Sequence, residues 1–141
     1  TTTPLEHDLE VTGPVRVVLY AATNVRDTDF TAKLVDVYPS GYAMNVAQGI
    51  QRARYRDSWT NPTLLEPGKI YQYSLDLWST SNCFLKGHAI RVEISSSNFP
   101  QFDRNPNTGN PFGQDSDLIK AKQTIYHNRE YPSHIMLPVI P

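Results

Sequence analysis

The sequence predicts an all-β fold, an antiparallel two-sheet sandwich with jelly-roll topology. Three observations carry that expectation. Apolar and polar residues alternate along most of the 141-residue chain, turn signals separate the runs at intervals of roughly ten residues, and no segment carries the apolar stripe of a helix. About nine short strands without intervening helices fit two stacked sheets better than a parallel sheet layered with helices.

A short strand at Leu9 to Val11 leads into Thr12-Gly13-Pro14, a turn or bulge, and then Val15, Val17 and Leu19 line one face of a strong strand. From Phe30 to Tyr38, Ala32 and Leu34 oppose Lys33, Val35 and Val37, and Pro39-Ser40-Gly41 ends the run in a hairpin-like turn. Two short polar strands follow, Ala43 to Val46 and Ile50 to Arg56. The second sets Arg52, Arg54 and Arg56 on one basic face, a solvated surface expected to pair with acids of a neighbouring strand. After the Pro67-Gly68 turn, Tyr71, Tyr73, Leu75 and Leu77 form the inner face of a long half-buried strand. Leu85-Lys86-Gly87 then turns into Ile90, Val92 and Ile94, whose neighbours Arg91 and Glu93 point outward. Thr124 to His127 and Ile135 to Ile140 complete the set, with Pro138 directing the last strand to a sheet edge.

Ile94 to Asn110, ISSSNFPQFDRNPNTGN, is polar, turn-rich and aromatic, and it follows a clean strand. Pro100 and Pro106 fix φ, Asn98, Asn105 and Asn107 favour turns, and Gly109 permits positive φ, so the backbone is restrained at many points. Phe99 and Phe102 supply apolar anchors beside Asp103 and Arg104. Two readings suit such a loop: a self-packed cap on the sheet, or a contact surface for another domain.

Thirteen basic and fourteen acidic side chains give a net charge of −1, which disfavours a nucleic-acid or anionic-membrane binder. The length suits one domain. Cys83 is the only cysteine, so internal disulfides are excluded and a cytoplasmic, reducing compartment is weakly favoured. No run reaches the roughly 18 apolar residues of a membrane span, Thr1 to Asp8 lacks the regions of a signal peptide, and the missing initiating Met suggests a fragment or processed product.

No nucleophile elbow, phosphate-binding glycine loop, CxxC pair or HExxH helix is present. His7, His88, His127 and His134 are scattered over turns and strand ends as surface or hydrogen-bonded residues. His127 and His134 can meet across Tyr131-Pro132-Ser133, but a third metal ligand is missing, and no cofactor is implied. Ser95, Ser96 and Ser97 lack an identifiable base and are expected to bond backbone groups. Tyr42, Trp59 and Trp78 are candidates for a sugar-stacking platform, although Trp78 falls at a strand end, where burial is commoner.

Three long stretches carry a family resemblance. TDFTAKLVDVYPSGYAMNVAQGIQRARYRDS from Thr28, LWSTSNCFLKGHAIRVEISSSNFPQFDRNPNTG from Leu77 and YPSHIMLPVIP from Tyr131 together resemble the C-terminal non-catalytic domain of the X-prolyl dipeptidyl-peptidase superfamily. More narrowly, they are similar to the branch that includes cocaine esterase, α-amino-acid ester hydrolases and glutaryl cephalosporin acylases. The resemblance implies a jelly roll of the galactose-binding-domain-like kind, packed in the parent serine hydrolase against an upstream α/β-hydrolase catalytic domain. It also implies that the Ser-His-Asp triad lies upstream, so no position of this chain is a catalytic residue. The family's domain begins earlier than Thr1, which implies one or two further strands.

Two functional classes follow from these readings. One is an interface domain of a serine hydrolase acting on esters or amides, docking through Phe99, Phe102, Asp103 and Arg104. The other is a carbohydrate- or other ligand-binding sandwich, which requires exposed, coplanar aromatic rings flanked by polar groups.

Overall fold

In the computed structural model, which describes residues 1–111 and 113–141, seven strands form two antiparallel sheets. The strands are β1 (Leu9–Thr23), β2 (Asp29–Val37), β3 (Ala43–Arg52), β4 (Tyr71–Phe84), β5 (Ala89–Ser95), β6 (Gln123–Tyr126) and β7 (His134–Met136). One sheet places β1 between β4 and the successive segments β6 and β7; the other has the order β3-β2-β5. Inward-facing side chains of β1 (Val11, Val15, Val17, Leu19), β4 (Tyr73, Leu75, Leu77) and β2 (Phe30, Ala32, Leu34) share one buried core. Burying a side chain of Leu or Phe size contributes roughly 1.5–3 kcal/mol. Phe30 and Tyr73 join the sheets directly, their ring centroids 4.8 Å apart.

Several expectations are revised. Leu9–Val11 and Val15–Leu19 belong to one long strand, because Gly13 at φ 136° carries the chain through the suspected turn while pairing with β4 continues. The register shifts between Pro14 and Arg16, where β4 uses two residues, Leu77 and Trp78, against Val15. Trp78 is thus the extra residue of a β-bulge. Its φ of 65° turns the indole outward, leaving it 77% exposed instead of buried at a strand end.

The two polar strands also merge into β3, which ends at Arg52, and Ala53–Tyr55 form a 3-10 turn. A strand no longer aligns the three arginines. Their guanidinium groups diverge, and each takes its own acid: Asp29, Asp27 and Asp57. The expected pairing with an acid of a neighbouring strand holds for Arg52 with Asp29 on β2, whereas Asp27 precedes that strand, Asp57 adjoins Arg56 in the chain, and the solvated basic face does not exist, since Arg54 is buried. The β2 alternation fails as well: this strand is central in its sheet and seven of its nine residues are buried, with the loop residue Asn105 bonded to Asp29 at its start.

The C-terminal strand is shorter than expected. After β7, single contacts continue its line along β1, with Thr12 N–H donating to Pro138 O at 3.0 Å and a bridge pairing Val11 with Val139. Between β6 and β7 the excursion Tyr126–His134 leaves a gap on the β1 edge, and Ser133 fills it. Its Oγ accepts from Tyr20 N–H at 2.9 Å and donates to the Tyr126 carbonyl. One hydroxyl replaces two missing backbone partners.

Candidate interface loop

The segment Asp27-Thr28-Asp29 enters β2 fully buried, and two carboxylates there demand compensation. Arg54 answers Asp27 from the 3-10 turn, its backbone N–H donating to Oδ1 at 3.0 Å and its Nε to Oδ2 at 2.8 Å. Arg52, opposite Asp29 in the β2–β3 register, grips that carboxylate with Nε at 2.9 Å and Nη2 at 3.0 Å. Such two-pronged geometry is the strong form of the guanidinium–carboxylate pair. Burial still raises the Asp29 carboxyl above its ordinary range, against the opposing pull of the hydrogen bonds from Arg52 and Asn105.

The loop after β5 is fastened to this acid pair. Asn105 Nδ2 donates to Asp27 Oδ2 at 2.9 Å and to Asp29 Oδ1 at 2.8 Å, so both of its amide hydrogens are used. Arg54 Nη2 donates to Asn110 O at 3.0 Å, and Asp103 approaches Arg52 Nη2 at 3.3 Å. Asn98 Nδ2 reaches Gln48 Oε1 on β3 at 3.1 Å. Farther along, Asn107 Nδ2 donates to Ile119 O at 2.8 Å. Two of the asparagines expected to shape turns, Asn98 and Asn105, therefore also tie the loop to the sheet, and Asn107 ties it to the segment that follows.

The loop also presents aromatic surface. Phe99 is 62% exposed, and the Arg104 guanidinium lies over its ring, 5.1 Å from the centroid. Phe102 is half-buried and lines an open groove of about 280 Å³ with Ile50, Arg52, Tyr55, Trp59 and Asp103. Trp59 stands on the rim of that groove, 76% exposed. The four residues singled out in the sequence thus divide: Phe102 and Asp103 belong to the groove, and Phe99 and Arg104 form a separate stacked pair. Sequence reasoning missed Trp59 as part of this surface and Asn105 as its anchor. The acids flanking Thr28 and the run Arg52-Ala53-Arg54, far apart in the chain, were the available signal.

The remaining candidates take other positions. His88 is buried, its Nδ1 2.9 Å from Asp36 Oδ1 and its ring tilted against Tyr38 with centroids 4.2 Å apart. His127 and His134 border one groove, and among the described residues no group of three His, Cys, Asp or Glu side chains is placed to hold a metal ion. Ser95 Oγ donates to the Ser97 carbonyl at 3.1 Å, the backbone role expected of that run. Tyr42, Trp59 and Trp78 are all exposed, yet among the described residues no ring contact joins any two of them.

Long, specific motifs and this architecture converge on known proteins. The family described as the X-Pro dipeptidyl-peptidase C-terminal non-catalytic domain matches residues 1–136. The chain belongs to this family. It is 49% identical over 138 residues to the cocaine esterase of Rhodococcus sp. (strain MB1 Bresler), a match covering 96% of this chain and 24% of that protein. Among solved structures, an α-amino acid ester hydrolase superposes with a TM-score of 0.93 at 37% identity, covering 99% of this chain and 25% of the other. An aminopeptidase from the marine sediment archaeon Thaumarchaeota archaeon gives a TM-score of 0.94 at 35% identity, again covering 99% and 25%. This non-catalytic domain therefore spans about a quarter of the length of those relatives. The two-sheet jelly roll expected from periodicity is the fold it shares with them.

Proposed function

We propose that this domain serves a serine hydrolase acting on esters or amides, and that it packs against the catalytic α/β-hydrolase domain through the loop Ser95–Asn110. The observation that carries the reading is the contrast within the loop. Asn98 and Asn105 are spent on the domain itself, on Gln48 and on Asp27 and Asp29, while Phe99 is exposed on the loop and Trp59 on the rim of the groove that Phe102 lines. Rigid support under exposed aromatic rings is how desolvated anchors of an interface are built. Because this domain contributes shape and no nucleophile, catalysis belongs to the rest of such an enzyme.

A serine-directed fluorophosphonate probe tests the division of labour. In the longer enzyme the label is expected on a serine preceding Thr1, and the Thr1–Pro141 chain is expected to remain unlabelled. Stoichiometric labelling of any serine within Thr1–Pro141, accompanied by ester cleavage, contradicts the proposal.

A further inference from the structure

The β-bulge at Trp78 also rearranges the charges beside it. Trp78 is a bulky residue held at φ 65°, a conformation that costs backbone strain, and its N–H donates to Asp76 Oδ1 at 2.8 Å. That bond turns the Asp76 carboxylate along its own strand. Arg16 stands directly opposite Asp76 in the β1–β4 register, where opposite charges ordinarily meet across strands. No ion pair joins them, and among the described residues Arg16 has no hydrogen-bond or ionic partner. The bulge thus leaves an open guanidinium donor beside a carboxylate that keeps Oδ2 as an open acceptor, both on exposed residues of the outward sheet face.

Arg16 and Asp76 border a cleft of about 280 Å³ together with Gln51, Tyr55, Trp59 and Ser74. Trp59 and Tyr55 also line the groove of Phe102, so the mostly exposed indole stands between an apolar groove and this polar cleft. Two more charges at the cleft, Arg56 and Asp57, neutralise each other at 3.2 Å. Acidic and basic groups are therefore balanced, which favours a neutral ligand over an anion or a cation. Such a ligand needs an apolar face for the indole and adjacent hydroxyls, one accepting from Arg16 and one donating to Asp76. A pyranose ring offers both. We propose that this cleft binds a neutral saccharide, with one sugar ring on Trp59 and neighbouring hydroxyls held by Arg16 and Asp76. The proposal goes beyond the interface reading and does not rest on it.

Titration calorimetry tests it with methyl β-glucopyranoside, cellobiose and maltose as probes, on Thr1–Pro141 and on the longer hydrolase. Saturable binding of at least one sugar is expected in both proteins, with a Kd of about 1 mM or tighter. Trp59→Ala, Arg16→Ala and Asp76→Asn are each expected to weaken it about tenfold or more. Asp76→Asn retains an oxygen for Trp78 N–H, and all three positions are exposed, so unchanged melting midpoints are expected to accompany the loss. Tyr42→Ala, at an exposed tyrosine outside the cleft, is expected to leave binding unchanged. Absence of binding by all three sugars overturns the proposal, as does binding of inorganic phosphate in their place. Loss in Trp59→Ala with full binding in both polar variants also overturns it, because the indole then accepts any apolar ring. Binding by Thr1–Pro141 that the longer hydrolase lacks overturns it too, since the cleft is then covered by the rest of the enzyme. None of these results bears on the hydrolase reading, which the probe-labelling experiment decides separately.

Discussion

Asn105 and Asp29 meet at 2.8 Å, and the same amide nitrogen reaches Asp27 at 2.9 Å, so one side chain from the surface loop neutralises the remaining hydrogen-bonding demand of two buried acids. The contact is long-range in sequence and central in energy. Removing a partner from a buried charged acceptor costs about 1–3 kcal/mol. Asn105→Ala is therefore expected to destabilise the domain by about 2 kcal/mol and to raise hydrogen exchange across Asn98–Asn110. Asp103→Ala removes an exposed carboxylate from Arg52, which keeps Asp29, and is expected to cost less than about 1 kcal/mol. Chemical denaturation of the two variants checks the ranking.

Asp29 also sets a pH dependence. Its folded-state carboxyl is raised above the ordinary 3.8, chiefly by burial, so the folded state holds that proton more tightly than the unfolded chain does. The stability it contributes is fully present below 3.8 and is lost as pH rises through the folded-state value. Asp29→Asn cannot titrate. The stability of the wild type relative to this variant is expected to fall as pH rises from below 3.8, and a difference that instead grows with pH contradicts a raised Asp29 carboxyl.

Tyr73 carries its hydroxyl into the core, where it has no hydrogen-bond partner among the described residues, and burial pushes its ionisation well above the normal range. Its ring contributes the contact with Phe30; the oxygen adds only a desolvation cost. Tyr73→Phe is expected to leave the melting midpoint unchanged or to raise stability by up to about 1 kcal/mol. A loss of more than about 1 kcal/mol shows that the hydroxyl is paired.

Gly49 on β3 packs directly against β4, and an added Cβ would collide with the backbone carbonyl of Asp76. A backbone atom cannot swing aside as a side chain does. Gly49→Ala is expected to cost about 3 kcal/mol by forcing the sheets apart, at the upper end for an inserted methyl group. Thermal unfolding against the Gly41→Ala control separates close packing from turn conformation, since Gly41 has open space around it but a φ of 86°.

Much of this was legible in the sequence, and the failures share a cause. Period-2 alternation identified the inward residues Val15, Val17, Leu19, Tyr73, Leu75 and Leu77, because one buried face leaves a local signature. Bulges and long-range partners leave none. Trp78 departs from the pattern because Val15 faces two residues across the ladder, and nothing local to Trp78 announces that mismatch. The arginine run looked like a polar strand because its acids, Asp27 and Asp29, lie more than twenty residues away. The loop was recognisable from its prolines, asparagines and aromatics. Its anchoring through Asn105 was not, since an asparagine that shapes a turn and one that caps buried carboxylates read alike.

The central claim is that Phe99 and its neighbours form a docking surface and are not needed to hold the domain together. Phe99 is mostly exposed and meets Arg104 within its own loop, so truncating it removes little packing from the isolated domain. At the desolvated centre of an interface the same truncation costs about 2 kcal/mol or more. The direct measurement is a pair of thermal melts, of Thr1–Pro141 and of the longer hydrolase, each with and without Phe99→Ala, together with ester turnover by the longer enzyme. The account predicts an unchanged melt for the isolated domain, and a lowered melt with reduced turnover for the longer enzyme. Equal destabilisation of both proteins, or no effect in either, contradicts it.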